Sequence, residues 1–257
     1  MREVTAKVTT TKSTSSDWIM PVWPAPERVR SLLTTRHGGV SRGAYATLNL
    51  GEHVGDDPAA VAENRRRLAG SVGVPVLWLD QVHGTTVLDA EVALSASRRE
   101  ADALFARNPG VACAVMTADC LPALFCDRSG TVVAAAHAGW RGLHAGVLER
   151  TVAAMQCSGE EILAYLGPAI GPQAFEVGDE VRAAFVDADR QAEVAFKPRG
   201  GKWLANIYLL ARQRLAGIGV NGVFGGNYCT VDEAERFFSY RRDGVTGRMA
   251  SVIWLAP

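Results

Sequence analysis

Apolar positions recur along the chain with two different periods, and these sort most of it into short strands and a few helices. Alternating or continuous apolar runs predict strands at 29–35, 75–79, 86–90, 111–117, 121–126 and 131–136. Further runs fall at 162–166, 194–197, 223–226 and 250–255. Helical spacing predicts helices over 58–69, 146–156, 178–186, 203–216 and 232–239. Within 203–216, Leu204, Ile207, Tyr208, Ala211 and Leu215 form an apolar stripe with Asn206 and Gln213 opposite, as expected of a helix packed on a core.

The stretch 75–136 carries five of the strand runs, mostly joined by short connections with no convincing helix between them. That favours antiparallel or mixed pairing over a regular βαβ series, and hence an α+β fold with helices outside the sheets. From Trp18 onward there is no low-complexity linker and no internal repeat, so one domain is expected over 18–257. Before it, 1–17 is rich in Ser and Thr without apolar periodicity and reads as a flexible tail.

Charge narrows the function classes. With 27 basic side chains against 27 acidic ones there is no global field to attract nucleic acid, so an anionic substrate must be met by a local cluster. No apolar stretch is long enough to span a membrane and no secretory leader is visible, so no membrane partner is expected and the cytoplasm is the expected location. The five cysteines, at 113, 120, 126, 157 and 229, are odd in number and lack a CxxC pair. That argues against a disulfide framework or a zinc ribbon, and most should be core thiols.

Three residues stand out at predicted strand ends or turns: His83 in Asp80-Gln81-Val82-His83-Gly84, Cys120 in Ala118-Asp119-Cys120-Leu121-Pro122, and His137 opening His137-Ala138-Gly139-Trp140-Arg141-Gly142. Imidazole and thiolate are favoured zinc ligands, and three of them leave a fourth position for water or substrate, as in catalytic sites. Their spacing matches no local zinc motif. A thiolate–imidazolium pair between Cys120 and either histidine, acting as a nucleophile, uses the same residues. Thr35-Arg36-His37-Gly38-Gly39 reads either as an anion-binding turn or as a surface turn, and Arg141 has the same two readings. The aromatic and basic block Phe237–Arg242, with Thr246-Gly247-Arg248, could stack a base or bind phosphate, but by composition it reads as a solvated, salt-bridged turn.

Taken in order, these motifs resemble one family. Thr35–Ser41, Leu48-Asn49-Leu50-Gly51, Val54-Gly55-Asp56-Asp57 with Asn64-Arg65, the three segments around His83, Cys120 and His137, Leu166–Ile170, and the C-terminal block are similar to the purine nucleoside phosphorylase family long labelled multicopper polyphenol oxidase or laccase domain. The resemblance runs from about Val29 to Pro257. It implies a single domain of mixed β-sheets packed together and flanked by helices, with Zn2+ held by His83, Cys120 and His137. Copper is the less favoured metal. Five histidines are too few for a full multicopper cluster, which sets the oxidase label aside.

The activity implied is phosphorolysis of adenosine, inosine and methylthioadenosine to free base and ribose 1-phosphate or its methylthio analogue, with adenosine deamination as a second reaction. A peptidoglycan-precursor editing hydrolase using the same Cys/His metal site is the alternative, and a non-catalytic scaffold is a third. On this reading Arg36 and Arg141 are candidates for phosphate, His37 for protonating the leaving base, and Asn49 and Gln81 for the ribose hydroxyls. Asp119, beside Cys120, is expected to be a turn or supporting residue rather than a ligand.

Overall fold

The computed structural model describes residues 17–256, so the predicted tail, apart from Asp17, lies outside the described residues. The first part of the chain forms β1 (Val29–Leu33), α1 (Pro58–Val72), β2 (Val76–Leu77), β3 (Val87–Asp89), α2 (Ala90–Ala93) and β4 (Ala103–Ala106). The middle forms β5 (Ala112–Thr117), β6 (Leu121–Asp127), β7 (Val133–Ala138), α3 (Trp140–Ala145), α4 (Val147–Met155) and β8 (Ile162–Leu166). The remainder forms β9 (Glu176–Val177), α5 (Asp179–Ala188), β10 (Phe196–Arg199), β11 (Lys202–Ala205), α6 (Ile207–Ala216), β12 (Gly222–Gly225), α7 (Tyr240–Asp243) and β13 (Met249–Leu255).

Two larger sheets make the body. One has the order β1-β13-β5-β2, the other β12-β8-β6-β7-β4-β3, and a small sheet β10-β11-β9 stands apart. Every residue of β5, β6, β7 and β13 is buried, because both faces of both sheets are covered. Leu33, Cys113, Val115 and Ile253 of the first sheet meet Leu104, Leu124, Val133 and Tyr165 of the second. The outer face of the first sheet, with Ala114, Met116 and Val252, is closed by Leu68 and Val72 of α1. The outer face of the second is closed by α4, α5 and α6 through Leu148, Val152, Phe185 and Leu210. The α+β class with packed mixed sheets and flanking helices is thus the observed one.

Local signals set the helix ends. Pro58 stands in the first turn of α1, the Asp57 carboxylate accepts from Ala59 N at 3.0 Å, and Gly73 closes the helix in the left-handed region. The predicted helix 203–216 divides: 203–205 belong to β11, and Asn206 accepts from Leu209 N to cap α6. The predicted helix 232–239 does not form. Phe237 and Phe238 are both fully buried, and the Arg242 guanidinium donates to the carbonyls of Thr230, Val231 and Phe237 to hold an irregular loop. β4, α2, α3, β9 and α7 have no counterpart among the predicted runs.

Candidate metal centre

β2 and β5 run parallel, so both leave their sheet at the same end. After β2 the chain passes to β3 on the edge of the other sheet, and after β5 it passes to β6 inside that sheet. His83 sits on the first passage and Cys120 on the second. β7 lies antiparallel to β6, with Pro122 opposite His137, which brings His137 to the same end. Both passages contain a non-glycine residue in the left-handed region, His83 (φ 60°) and Asp119 (φ 94°), a costly conformation that persists only where surrounding contacts impose it.

One ligand atom from each of His83, Cys120 and His137 lies within 4.8 Å of the others. His83 Nε2 and Cys120 Sγ are 3.8 Å apart, and the two imidazoles meet edge to face with centroids 4.8 Å apart. A tetrahedral zinc with ordinary bond lengths would hold N and S about 3.6 Å apart, so the donor set fits that ion. The space is kept open by Gly139, where a Cβ would come to 2.9 Å from His83 Cδ2 and 3.1 Å from Cys120 Sγ.

In the metal-free triad, burial and hydrogen bonding set the protonation in opposite directions. Burial acts to raise the Cys120 thiol, but hydrogen bonding to His137 and His83 outweighs it and brings the group down to about 6. Burial acts to lower His137, and hydrogen bonds to Asp102 and Cys120 outweigh it, pushing the imidazole up to about 9. Asp102 is fully buried, yet the hydrogen bond from His137 and those from the Gly84 and His83 backbone keep its carboxyl below the usual range. Cys113 and Cys126, by contrast, are raised by burial, Cys126 to about 12.

Two cavities flank the triad. One, of about 350 Å³, has His53, Gln81, Tyr240 and Arg248 around the three ligands. The other, of about 290 Å³, is lined by Trp140, Arg141, Ile170, Phe175 and Arg241. Ala118, Cys120 and Tyr240 belong to both walls, so the cleft has two lobes meeting at the thiol.

Residues 30–256 match the family described as multi-copper polyphenol oxidoreductase laccase. The chain belongs to this laccase-like family. It is 58% identical over 240 residues to a purine nucleoside phosphorylase of Pseudomonas aeruginosa, covering 93% of this chain and 98% of that one. It is 59% identical over 242 residues to the purine nucleoside phosphorylase YfiH of Escherichia coli K12, covering 93% and 99%. Among solved structures, the Neisseria meningitidis protein NMB0706 superposes with a TM-score of 0.92 at 57% identity, over 94% of this chain and all of that one. YlmD of Geobacillus stearothermophilus superposes with 0.81 at 33%, over 90% and 93%.

The multi-copper label of the laccase-like family is not matched by a multinuclear donor set here: among the described residues one His/Cys group converges. Of the other histidines, His53 lines the cleft, His144 packs on Phe185, and His37 contacts the Glu235 carbonyl. No helix of the described residues is long and apolar enough to cross a membrane.

The remaining expected site residues fall in different places. Arg141 reaches the cleft, exposed and with its guanidinium 4.4 Å from the Trp140 ring centroid. Gln81 lines the cleft, but its amide clips the Met116 backbone, donating to the carbonyl at 2.8 Å and accepting from the N–H at 2.7 Å. Arg36 lies outside both lobes, donating to the carbonyls of Ala46 and Ala234 and stacking on Phe238. Asn49 is fully buried, and its carbonyl accepts from the N–H groups of Gly51 and Arg248. Asp119 is no ligand; it accepts from Thr230 Oγ1 and the Arg241 N–H, both at 2.6 Å, and so ties the Cys120 turn to the start of α7.

Three further residues face the cleft. Arg248 is half-buried, its guanidinium donates only to the nearby carbonyls of Thr246 and Gly247, and it has no ion pair among the described residues. Tyr240 is 61% exposed over the cleft. His53 lines the cleft, held below its ordinary value by burial and then by the charges of Arg248 and Arg65.

Proposed function

We propose that this protein is a zinc-dependent purine nucleoside phosphorylase whose metal is held by His83, Cys120 and His137. The observation that carries the reading is a half-buried arginine without a carboxylate partner, Arg248, facing a convergent His-Cys-His set in one cleft. An unpaired cation in such a place invites an anion, and two relatives at 58% and 59% identity bear the name of enzymes that use phosphate.

On this reading phosphate enters the lobe of Arg248 rather than meeting Arg36, whose guanidinium is engaged elsewhere, or Arg141, which lines the other lobe. The purine occupies the lobe of Trp140, Ile170 and Phe175, where Arg141 and Arg241 face its polar edge. The sugar lies between them, beside Cys120 and under the Tyr240 ring, a reading that the wall common to both lobes supports. His53 hydrogen-bonds a ribose hydroxyl. Bound zinc supplies Lewis-acid stabilisation of negative charge at this junction. Arg248 holds the phosphate and orients it for attack on the anomeric carbon as the bond to the base breaks.

Adenosine deamination at the same centre is the second activity we assign, and the cytosol is the location we assign to both. The test combines metal analysis with assays on one sample. Stoichiometric zinc and phosphate-dependent release of hypoxanthine from inosine are expected; fully active metal-free protein would overturn the proposal. Release of an amino acid from a muropeptide nucleotide without base release from nucleosides would point to the editing hydrolase instead.

A further inference from the structure

Asp102 immediately precedes β4 and is 0% exposed. Its side chain meets four N–H donors. Oδ1 accepts from His83 N at 3.0 Å and His137 Nδ1 at 2.8 Å. Oδ2 accepts from Val82 N at 3.3 Å and Gly84 N at 2.6 Å. The backbone takes part as well: His137 N donates to Asp102 O at 2.7 Å, and Asp102 N to Thr86 O at 3.1 Å. A single carboxylate therefore binds both the imidazole of one candidate ligand and the backbone turn that carries another.

We infer that Asp102 is the positioning residue of the metal centre, fixing the proton of His137 on Nδ1 so that Nε2 faces the metal and clamping the 82–84 turn that presents His83. The inference rests on the reading of His83, Cys120 and His137 as metal ligands. A buried carboxylate persists only when its lone pairs are satisfied, and here the donors that satisfy it are parts of the site itself. The left-handed backbone at His83 is the conformation this clamp imposes. Asp102 also sets the charge: a divalent ion, the Cys120 thiolate and this carboxylate sum to zero, so a buried centre holds a dication without excess charge.

Asp102→Asn separates these roles from mere packing, because it preserves shape. If the amide NH2 replaces Oδ2, it opposes the two N–H groups of Val82 and Gly84. If it replaces Oδ1, it opposes only His83 N–H, provided that His137 turns its Nδ1 into an acceptor. The second arrangement is the cheaper, and it moves the imidazole proton to Nε2, where the metal should bind.

The experiment measures zinc affinity by chelator competition, together with 15N NMR of the histidine rings, on the full chain. In the zinc-loaded wild type, Nδ1 of His137 keeps its proton. In metal-free Asp102→Asn the neutral ring carries its proton on Nε2, and zinc binding weakens by about 10–100-fold or more while the circular dichroism spectrum is retained. Asp102→Asn with wild-type zinc affinity overturns the inference, as does a zinc-loaded wild type in which Nδ1 of His137 is the metal-bound nitrogen. The wild-type measurement stands even where the variant fails to fold. Wild-type protein that binds no zinc would instead overturn the ligand reading beneath it.

Discussion

Gly139→Ala adds one methyl group to the most crowded point of the centre. The new Cβ would lie 2.9 Å from His83 Cδ2 and 3.1 Å from Cys120 Sγ. Ordinary carbon contacts are about 3.5–4.0 Å, so the imidazole has to retreat by roughly 0.6 Å or more. Metal-ligand distances tolerate only about 0.2 Å. Zinc affinity should fall by at least the 10–100-fold typical of disturbed supporting residues, or about 1.4–2.8 kcal/mol. The fold should survive. Gly139 has φ −61° and ψ 159°, a conformation alanine adopts freely. The entropy gained in the unfolded chain, about 0.4–1 kcal/mol, is offset by the poorer helix cap that alanine makes for α3. Metal-free variant and wild type should therefore melt alike, while chelator competition separates them. A variant that binds zinc within about threefold of wild type would show that the triad does not close around an ion in the way proposed.

Three further outcomes follow from the cleft. Arg248→Met should raise the KM for phosphate by about 10–100-fold, the worth of a charged hydrogen bond, with a much smaller change in the KM for nucleoside; equal changes in both would remove Arg248 from the phosphate lobe. Tyr240→Ala should raise the KM for nucleoside by roughly 5–150-fold if the ring stacks on substrate, whereas Tyr240→Phe retains the wild-type value; matching losses in the two variants would place the phenol oxygen, not the ring, in the binding step. In metal-free protein, iodoacetamide should label Cys120 first, since its thiol alone is lowered while Cys113, Cys126, Cys157 and Cys229 are raised. The depressed group is thiolate above about pH 6, so labelling slows as pH falls through that value, and zinc suppresses it; a midpoint near the ordinary thiol value would refute the assigned environment.

Much of this arrangement could be read from the chain because it follows from local chemistry. The strands bearing the centre are apolar enough to be recognised, and His83, Cys120 and His137 attracted notice as metal-binding residue types beside them. Asp102 escaped. It is one carboxylate in Glu100-Ala101-Asp102-Ala103, ahead of a strand too short and too alanine-rich to register, and its meaning lies wholly in donors supplied by two other segments. Arg248 was hidden for the opposite reason. It shares a block with Arg242, which does pair with Asp243, and composition cannot tell a paired arginine from one turned inward. The predicted helix at 232–239 failed because Glu233 and Arg242 secure an irregular path through contacts that no periodicity encodes.

The two passages between the sheets have a mechanical consequence. His83 and Cys120 each lie where the chain leaves one sheet for the other, so an ion gripped by both acts as a rivet through the end of the sandwich. Sliding of one layer against the other would pull the rivet apart, and loss of the ion would free that end to shear. The opposite end of the sandwich carries none of these ligands, and loops there can lengthen or change composition without disturbing the grip.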